Sequence, residues 1–182
     1  MKRLAFAALL ALAACSSKGP NDRSEWEKQN EDKLTREEGA LTPDLPPYPE
    51  KGRLIPFFVS SASDFRFAID RDSLKVSKDR IIRYTLVATS ASGVDNVSFE
   101  GLNCLTSEYI VYAVGVDGKW VTRKSQWRAI EGRSVYRWHN ALRGEYFCPN
   151  NVAISSTEEG LNALERGGHP NVQTSPPRNV VR

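Results

Sequence analysis

The sequence predicts an α+β fold, in which one antiparallel sheet is packed by one or two short C-terminal helices and carries one disulfide. Two observations predict the sheet. Apolar and polar residues alternate through the middle of the chain, and short turn signals such as Asp117-Gly118 separate the alternating segments. A third observation is the helical spacing of apolar residues near the C-terminus. The chain of 182 residues suits one domain with appendages, and its composition is that of a globular protein.

The strand pattern begins after Leu54. Apolar residues of one parity alternate with polar neighbours at 65–69, 82–88 and 97–100, as in half-buried strands. Residues 109–114 are apolar on both parities, which predicts a central strand. Because the connecting turns are short, we expect an antiparallel meander and not a parallel βαβ sheet.

Helices are predicted in the C-terminal third. Apolar residues recur there at helical spacing: Trp138, Ala141, Leu142 and Tyr146. This segment should end at Cys148-Pro149. Ser156 and Glu159 form a capping-box pattern ahead of a second helix, and Gly167-Gly168 predicts its end.

The N-terminus carries the most specific motif. Lys2 and Arg3 precede 11 apolar residues, Leu4 to Ala14, which is the length of a signal-peptide core and too short for a bilayer span. The run ends in Leu12-Ala13-Ala14-Cys15 and resembles the lipobox of bacterial lipoproteins. The resemblance implies cleavage before Cys15 and acylation of that residue, with palmitate among the acyl chains. The alternative is an ordinary secretory signal that leaves Cys15 as a spare thiol.

Sorting and charge follow from this processing. In Gram-negative lipoproteins an Asp directly after the first mature residue marks inner-membrane retention. Here Ser16 and Ser17 follow Cys15, so the resemblance favours the periplasmic face of the outer membrane. Removal of residues 1–14 leaves 23 basic against 22 acidic residues, a net charge of +1. A nucleic-acid partner is therefore not expected, whereas the membrane is a partner through the N-terminal lipid.

The chain divides into four predicted parts. These are a lipoprotein signal peptide (1–14), a flexible acylated tether (15–50), a single globular domain (51–168) and a disordered tail (169–182). The tether is rich in polar residues and prolines, and Asp44 to Pro49 favours polyproline geometry. Two alternatives remain for it: a partner-binding helix around 26–38, or docking of Leu45 to Tyr48 on the domain as a strap.

Cys104 and Cys148 are the two other cysteines. Export to an oxidising compartment predicts a disulfide between them, and closing this loop of 45 residues would contribute about 4 kcal/mol. The alternatives are a redox pair and a zinc site. Neither His139 nor His169 lies within four residues of a cysteine, so no metal or other cofactor is expected.

The sequence contains no hydrolase, metalloprotease, phosphate-loop or dinucleotide motif. Aromatic residues crowd into the segment 120–147 and are interleaved with arginines: Arg123, Arg128, Arg133, Arg137 and Arg143. Such a mixture can stack on glycan rings or hold a carboxylate. The candidate binding surface consists of Trp120, Trp127, Arg128, Trp138 and His139. The alternative is an aromatic core next to the disulfide.

Ordered segments across residues 45–170 resemble one family of bacterial envelope proteins. They include Leu45-Pro46-Pro47-Tyr48-Pro49, Arg83 to Ala88, Asn96 to Gly101, Asp117-Gly118-Lys119-Trp120, Trp127 to Ile130 and Glu145 to Pro149. Together they are similar to the CNP-one-like family. The resemblance implies an exported, often lipidated, single-domain protein, and it supports the pairing of Cys104 with Cys148. It supplies no activity and no catalytic residue.

The leading hypothesis is a lipid-anchored periplasmic domain that acts as a non-enzymatic binding or accessory module for an envelope protein or glycan. An alternative is an envelope hydrolase whose site is assembled from dispersed residues around His139. A third hypothesis is a purely structural spacer.

Overall fold

The structure is a computed structural model that describes residues 43–131 and 137–172. Six strands follow one another across an antiparallel sheet in chain order, and a short seventh strand pairs with the start of the fifth. The strands are β1 (Leu54–Phe57), β2 (Arg66–Val76), β3 (Ile81–Thr89), β4 (Asp95–Asn103), β5 (Glu108–Val116), β6 (Lys119–Thr122) and β7 (Arg128–Ala129). The predicted meander and the α+β class are confirmed.

The β5–β6 hairpin shows why the turn signal was informative. Its two central residues both have positive φ, 49° at Asp117 and 74° at Gly118. This is the backbone of a two-residue hairpin turn whose twist matches the twist of the flanking strands. The tight turn sets Val116 opposite Lys119 and Gly115 opposite Trp120.

The two faces of the sheet have different surroundings. On β3, Tyr84 and Leu86 belong to the larger apolar cluster, which includes the helical residues. Thr85 lies between them and points to the opposite face, because side chains alternate along a strand. Thr85 pairs with Phe99 of β4, which belongs to a second, smaller cluster. We call the first face the helix face and the second the strap face, after residues 43–50, which contact it.

Two short helices and a π-helical turn cover the helix face. They are α1 (Arg137–Ala141), the π-helical turn (Leu142–Phe147) and α2 (Thr157–Glu165). The sequence predicts an ordinary helix up to Cys148, whereas the last part has the wider π geometry. The backbone N–H of Cys148 donates to the carbonyl of Arg143, five residues earlier, at 3.2 Å.

The second helix begins at the predicted cap. The Ser156 hydroxyl accepts a hydrogen bond from the backbone N–H of Glu159 at 3.1 Å. The Glu159 carboxylate accepts hydrogen bonds from the backbone N–H and the hydroxyl of Ser155, both at 2.6 Å. In a capping box, this carboxylate would accept from the backbone N–H of the cap residue itself, which is Ser156. Gly167 follows the helix with φ 77°, as expected of a glycine stop.

A disulfide joins the sheet to the helical layer. Cys104 follows β4 and Cys148 follows the π-helical turn, and their sulfur atoms are bonded with a Cα–Cα distance of 5.5 Å. Both residues are buried in the helix-face core. The predicted disulfide is confirmed, and it connects two parts of the chain that lie far apart in sequence.

The packed part of the chain continues past residue 168, where the sequence placed the start of the tail. His169 is buried, and its backbone N–H donates to the carbonyl of Glu145 at 2.7 Å. In the ranges described above, the helices are all too short or too polar to cross a lipid bilayer.

Candidate functional site

The five residues of the predicted binding surface lie on both faces of the sheet. Trp120 and Trp127 pack against the small aromatic cluster of the strap face. Trp138 packs against the helix-face core, in which His139 is only 1% exposed. Arg128 is exposed on β7. The structure therefore places Trp120 and Trp127 beside one cluster and separates them from Trp138 and His139.

A proline-rich segment, residues 43–50, lies against Trp120. The indole N–H of Trp120 donates a hydrogen bond to the carbonyl of Pro46 at 2.8 Å. The ring of Tyr48 lies 5.2 Å from the Trp120 ring at an interplanar angle of 53°. We call residues 43–50 the strap. Docking on the domain was the alternative prediction for Leu45 to Tyr48, and the structure has this arrangement.

Tyr48 occupies a notch in the sheet that a glycine leaves open. A Cβ atom at Gly115 would overlap the Tyr48 hydroxyl and would lie 2.9 Å from the Cβ of Val97. Gly115 pairs with Trp120 across the β5–β6 hairpin, so the notch and the indole are neighbours. The Trp120 ring in turn lies 6.3 Å from the ring of Phe99. We define the strap groove by these four sheet residues: Val97, Phe99, Gly115 and Trp120.

The strap approaches β1 from the other side of the sheet. Pro46 contacts Trp120 on β6, whereas the chain enters β1 at Leu54, on the opposite edge of the sheet. One short turn of 3₁₀-helix, Lys51–Arg53, lies between the strap and β1. The strap itself belongs to no helix or strand.

Four residues of the strap are partly buried: Pro43, Pro46, Tyr48 and Pro49. The other four are exposed: Asp44, Leu45, Pro47 and Glu50. The three partly buried prolines have the three-residue spacing of a polyproline helix, and Tyr48 adds a contact outside that spacing. Burial raises the pKa of the Tyr48 phenol, and the charge of Asp95 adds to this effect, so the ring docks as a neutral group.

A buried cation borders the aromatic cluster. The Arg83 guanidinium lies 5.8 Å from the centre of the Tyr112 ring and pairs with the Asp79 carboxylate at 2.7 Å. Burial acts to lower the pKa of Arg83, but the hydrogen bond to Asp79 and the charges of Tyr112 and Asp79 outweigh burial and raise it. Arg83 thus remains a cation, and Gly101 provides space for the Tyr112 hydroxyl above the sheet.

The second candidate site is a buried acid–histidine pair on the helix face. The Nε2 atom of His139 lies 2.9 Å from an oxygen of Glu100, and their side chains are each 2% exposed. The Tyr84 and Ser98 hydroxyls also donate to this carboxylate, at 3.2 Å and 2.6 Å. The His139 ring stacks on Tyr109 with 3.7 Å between ring centres. The pair is therefore held on several sides by hydrogen bonds and by packing.

The electrostatics of this pair favour a charged carboxylate. Burial alone would raise the pKa of Glu100, but the charge of His139 and the hydrogen bonds from His139, Ser98 and Tyr84 lower it overall. Burial raises the pKa of the neighbouring Tyr84 well above its ordinary value, with the Glu100 charge adding to this. A Glu–His pair can act as a general base, yet a substrate would have to reach atoms that lie inside the core.

A shallow cavity of about 410 Å³ lies beside the start of α2, lined by Ser156, Glu159, Arg166 and His169 among others. His169 Nδ1 accepts from the N–H of Asn171, so Nε2–H donates to Glu159, at 2.9 Å. Hydrogen bonds from Ser155 dominate the lowering of the Glu159 pKa to about 2. Among residues 43–131 and 137–172, no three His, Cys, Asp or Glu side chains form a group that could hold a metal ion.

Comparison with known proteins identifies the family. The sequence profile of the CNP1-like family matches residues 30–165, which are 136 of the 182 residues. The chain belongs to the CNP1-like family. The resemblance seen in the ordered sequence segments is therefore confirmed. A search of curated proteins and a search of solved structures returned no significant match to the chain.

Both candidate sites of this CNP1-like protein lie in the matched region, which includes the strap, the strap groove and the Glu100–His139 pair. Several predictions fall outside the described residues. These are the signal peptide, the acylated Cys15, the tether up to residue 42, Arg133 and the tail beyond residue 172.

Sequence reasoning missed two residues of these sites in the CNP1-like chain, Glu100 and Gly115. The alternating pattern of its strand predicts that Glu100 is exposed, whereas the structure buries it opposite His139. Gly115 gave no signal, because the notch exists only in the paired sheet. Tyr48 was not missed, because docking of Leu45 to Tyr48 on the domain was one of the two alternatives for the tether.

Proposed function

We propose that the chain is a lipid-anchored periplasmic binding module that recognises a partner of the cell envelope. The observation that carries the proposal is the strap groove, an aromatic site on the sheet that holds an extended segment through an indole N–H and a tyrosine notch. Its tryptophan, Trp120, is partly buried, as is typical of side chains that bind through both a ring and an N–H. The confirmed disulfide supports an oxidising compartment.

Anchoring is the first half of the proposal. The Leu12-Ala13-Ala14-Cys15 motif supports acylation of Cys15, and attachment through two or more acyl chains gives stable membrane binding. Metabolic labelling with an alkyne fatty acid should label the full chain, and Cys15→Ser should abolish the label. The matched control is Cys104→Ser with Cys148→Ser, which should keep it. A labelled Cys15→Ser chain, or an unlabelled natural chain, contradicts the anchor.

Binding is the second half. A photo-crosslinking amino acid at Trp127, beside the groove, should give a discrete product in intact cells. The same amino acid at Leu105, which is 89% exposed after β4, provides the control for surface exposure alone. A product specific to position 127 supports the module. Equal products at both positions, or none at either, contradict it and favour a structural spacer.

A hydrolase around His139 is the second candidate, and its specific observation is the 2.9 Å contact between His139 and Glu100. The burial of both side chains supports a role in packing, so we place this function second. It would be supported by hydrolysis of envelope peptides or glycans that Glu100→Gln removes while near-UV circular dichroism stays unchanged. Unchanged hydrolysis in that variant contradicts it.

A further inference from the structure

The strap groove recognises a specific kind of ligand. In polyproline recognition, an aromatic-lined groove holds a preformed extended segment, and side-chain donors reach its free carbonyls. The carbonyls of such a segment are available because a polyproline helix has no internal hydrogen bonds. Here, Trp120 donates to the carbonyl of Pro46 and its ring contacts Tyr48, two residues later. A proline-rich segment of the chain is therefore bound through a side-chain donor and an aromatic ring, the two kinds of contact that polyproline recognition uses.

The groove selects the segment at two points with different chemistry. The indole N–H binds a backbone carbonyl, so this contact does not depend on the side chain at that position. The notch at Gly115 reads an aromatic ring, because it receives the Tyr48 side chain between β4 and β5. A ligand therefore needs an extended backbone and an aromatic residue two positions after the contacted carbonyl. Prolines at three-residue spacing supply that backbone at low entropic cost.

The strap is attached to the sheet less firmly than the helices that cover the helix face. The strap leaves Asp44, Leu45 and Pro47 exposed, and it belongs to no helix or strand. No disulfide within the described ranges joins it to the sheet, since the Cys104–Cys148 bond lies on the helix face. A segment held by an indole hydrogen bond and by ring packing, outside any helix or strand, can detach while the sheet stays folded.

We propose that the strap groove binds a proline-rich, extended segment of an envelope partner, and that the strap occupies the groove in cis until such a segment displaces it. This inference rests on the proposed binding function and names the class of its ligand. The strap is then both a model of the ligand and a competitor for its site. A competitor that leaves the groove open in about 1–10% of molecules weakens the apparent affinity about 10- to 100-fold.

The test is a titration of the full chain, purified in detergent, with a peptide of residues 43–50. The indole N–H resonance of Trp120, assigned with Trp120→Phe, reports occupancy. Tyr48→Ala should release the strap and leave the groove intact, so this variant should bind the peptide about 10- to 100-fold more tightly than the natural chain. Leu45→Ala, at an exposed strap position, is the matched control and should bind like the natural chain.

Two further arms identify the site and the ligand chemistry. Adding Gly115→Ala to Tyr48→Ala should abolish peptide binding, because the new Cβ fills the notch that the peptide tyrosine needs. A control peptide with alanine in place of the prolines at 43, 46 and 49 should bind at least about tenfold more weakly, because its extended form is no longer preorganised. Equal binding of the two peptides overturns the polyproline assignment.

Three results overturn the proposal. The first is that Tyr48→Ala binds the peptide no better than the natural chain. The second is that Gly115→Ala leaves the binding unchanged. The third is that the natural chain self-associates through exchanged straps while the opened variant binds no peptide, since the groove then serves a second copy of the chain. If Tyr48→Ala does not fold, Pro46→Ala with Pro49→Ala weakens the strap and provides the same comparison.

This titration and the cell crosslinking fail independently. Peptide binding without a crosslink at Trp127 contradicts the envelope partner and leaves the chemistry of the groove established. A specific crosslink without peptide binding retains the binding module and rejects the proline-rich ligand.

Discussion

The two faces of the sheet are closed in different ways. On the helix face, 19 buried residues of the described ranges form a core that is covered by α1, the π-helical turn and α2, and Cys104–Cys148 joins this layer covalently to the sheet. On the strap face, the buried cluster has four residues within the same ranges, and the strap lies over its border through Trp120 and Tyr48. One face is therefore joined to its cover by a covalent bond, whereas the other holds its cover by a hydrogen bond and ring packing, which is the basis for the proposed exchange of the strap.

The largest expected change in stability comes from removing the disulfide that closes the helix face. Replacing both cysteines, Cys104→Ala with Cys148→Ala, should lower the free energy of unfolding by about 4 kcal/mol, because the unfolded chain gains the entropy of an open loop. Urea unfolding measures the change. Reduction of the natural chain is the control and should cause a similar loss. A loss below about 1 kcal/mol would show that the disulfide does not hold the helix face.

The next effect concerns the polar centre of the helix face. Glu100→Gln should lower the free energy of unfolding by about 1–3 kcal/mol, because charged hydrogen bonds from His139, Ser98 and Tyr84 are weakened. Unfolding experiments at neutral pH measure this change. Glu131→Gln, at an exposed position, should change stability by less than about 0.5 kcal/mol.

The same carboxylate predicts a pH dependence. The pKa of Glu100 is lower in the folded chain than its ordinary value of 4.5, so its contribution is fully present above pH 4.5. That contribution is lost as the pH falls through 4.5 towards the folded pKa. Urea unfolding from pH 7 to pH 3 should show a smaller acid loss in Glu100→Gln than in the natural chain. Equal acid losses would mean that Glu100 is not held as a buried anion.

A smaller effect is expected on the strap face. Tyr48→Ala should lower the free energy of unfolding by about 1–2 kcal/mol, because a partly buried ring is removed. Leu45→Ala, at a position that is 37% exposed, should change it by less than about 0.5 kcal/mol. Denaturant unfolding provides both values. A loss of about 4 kcal/mol at Tyr48 would place the strap in the permanent core and remove the contrast between the two faces.

The smallest expected effect is at the cap of α2, where a substitution should change the stability of the chain and not its affinity for the strap peptide. Ser156→Ala removes the α2 cap and should lower stability by about 1 kcal/mol. It should leave the affinity for the strap peptide unchanged, because α2 covers the other face. Calorimetric titration of the variant measures the affinity. A shift in peptide affinity comparable to that of Tyr48→Ala would show that the two faces are coupled.

The sequence was sufficient for features that depend on local pattern. Alternation predicted the meander, Asp117-Gly118 predicted its hairpin, and Ser156 predicted the start of α2. The disulfide followed from the number of cysteines and the export motif. These features require only short spacing or a count of residues.

Features that depend on which strands become neighbours could not be predicted. The bulge at Tyr112 turns both Tyr112 and Ala113 towards the strap face, a result of pairing with β4 that no alternation rule contains. The aromatic crowding between residues 120 and 147 suggested one surface, but the sheet divides it between two faces. The notch at Gly115 likewise arises only when β5 lies beside β4 and receives Tyr48.

Hydrogen exchange of the natural chain measures whether the strap opens while the disulfide-bonded body stays folded. The indole N–H of Trp120 reports the strap, and the backbone amide of Leu86 reports the core of the sheet. We predict that the opening equilibrium at Trp120 is at least about 100-fold more populated than that at Leu86. Tyr48→Ala should raise the first and leave the second nearly unchanged. Exchange of both protons through one common global unfolding would contradict the account.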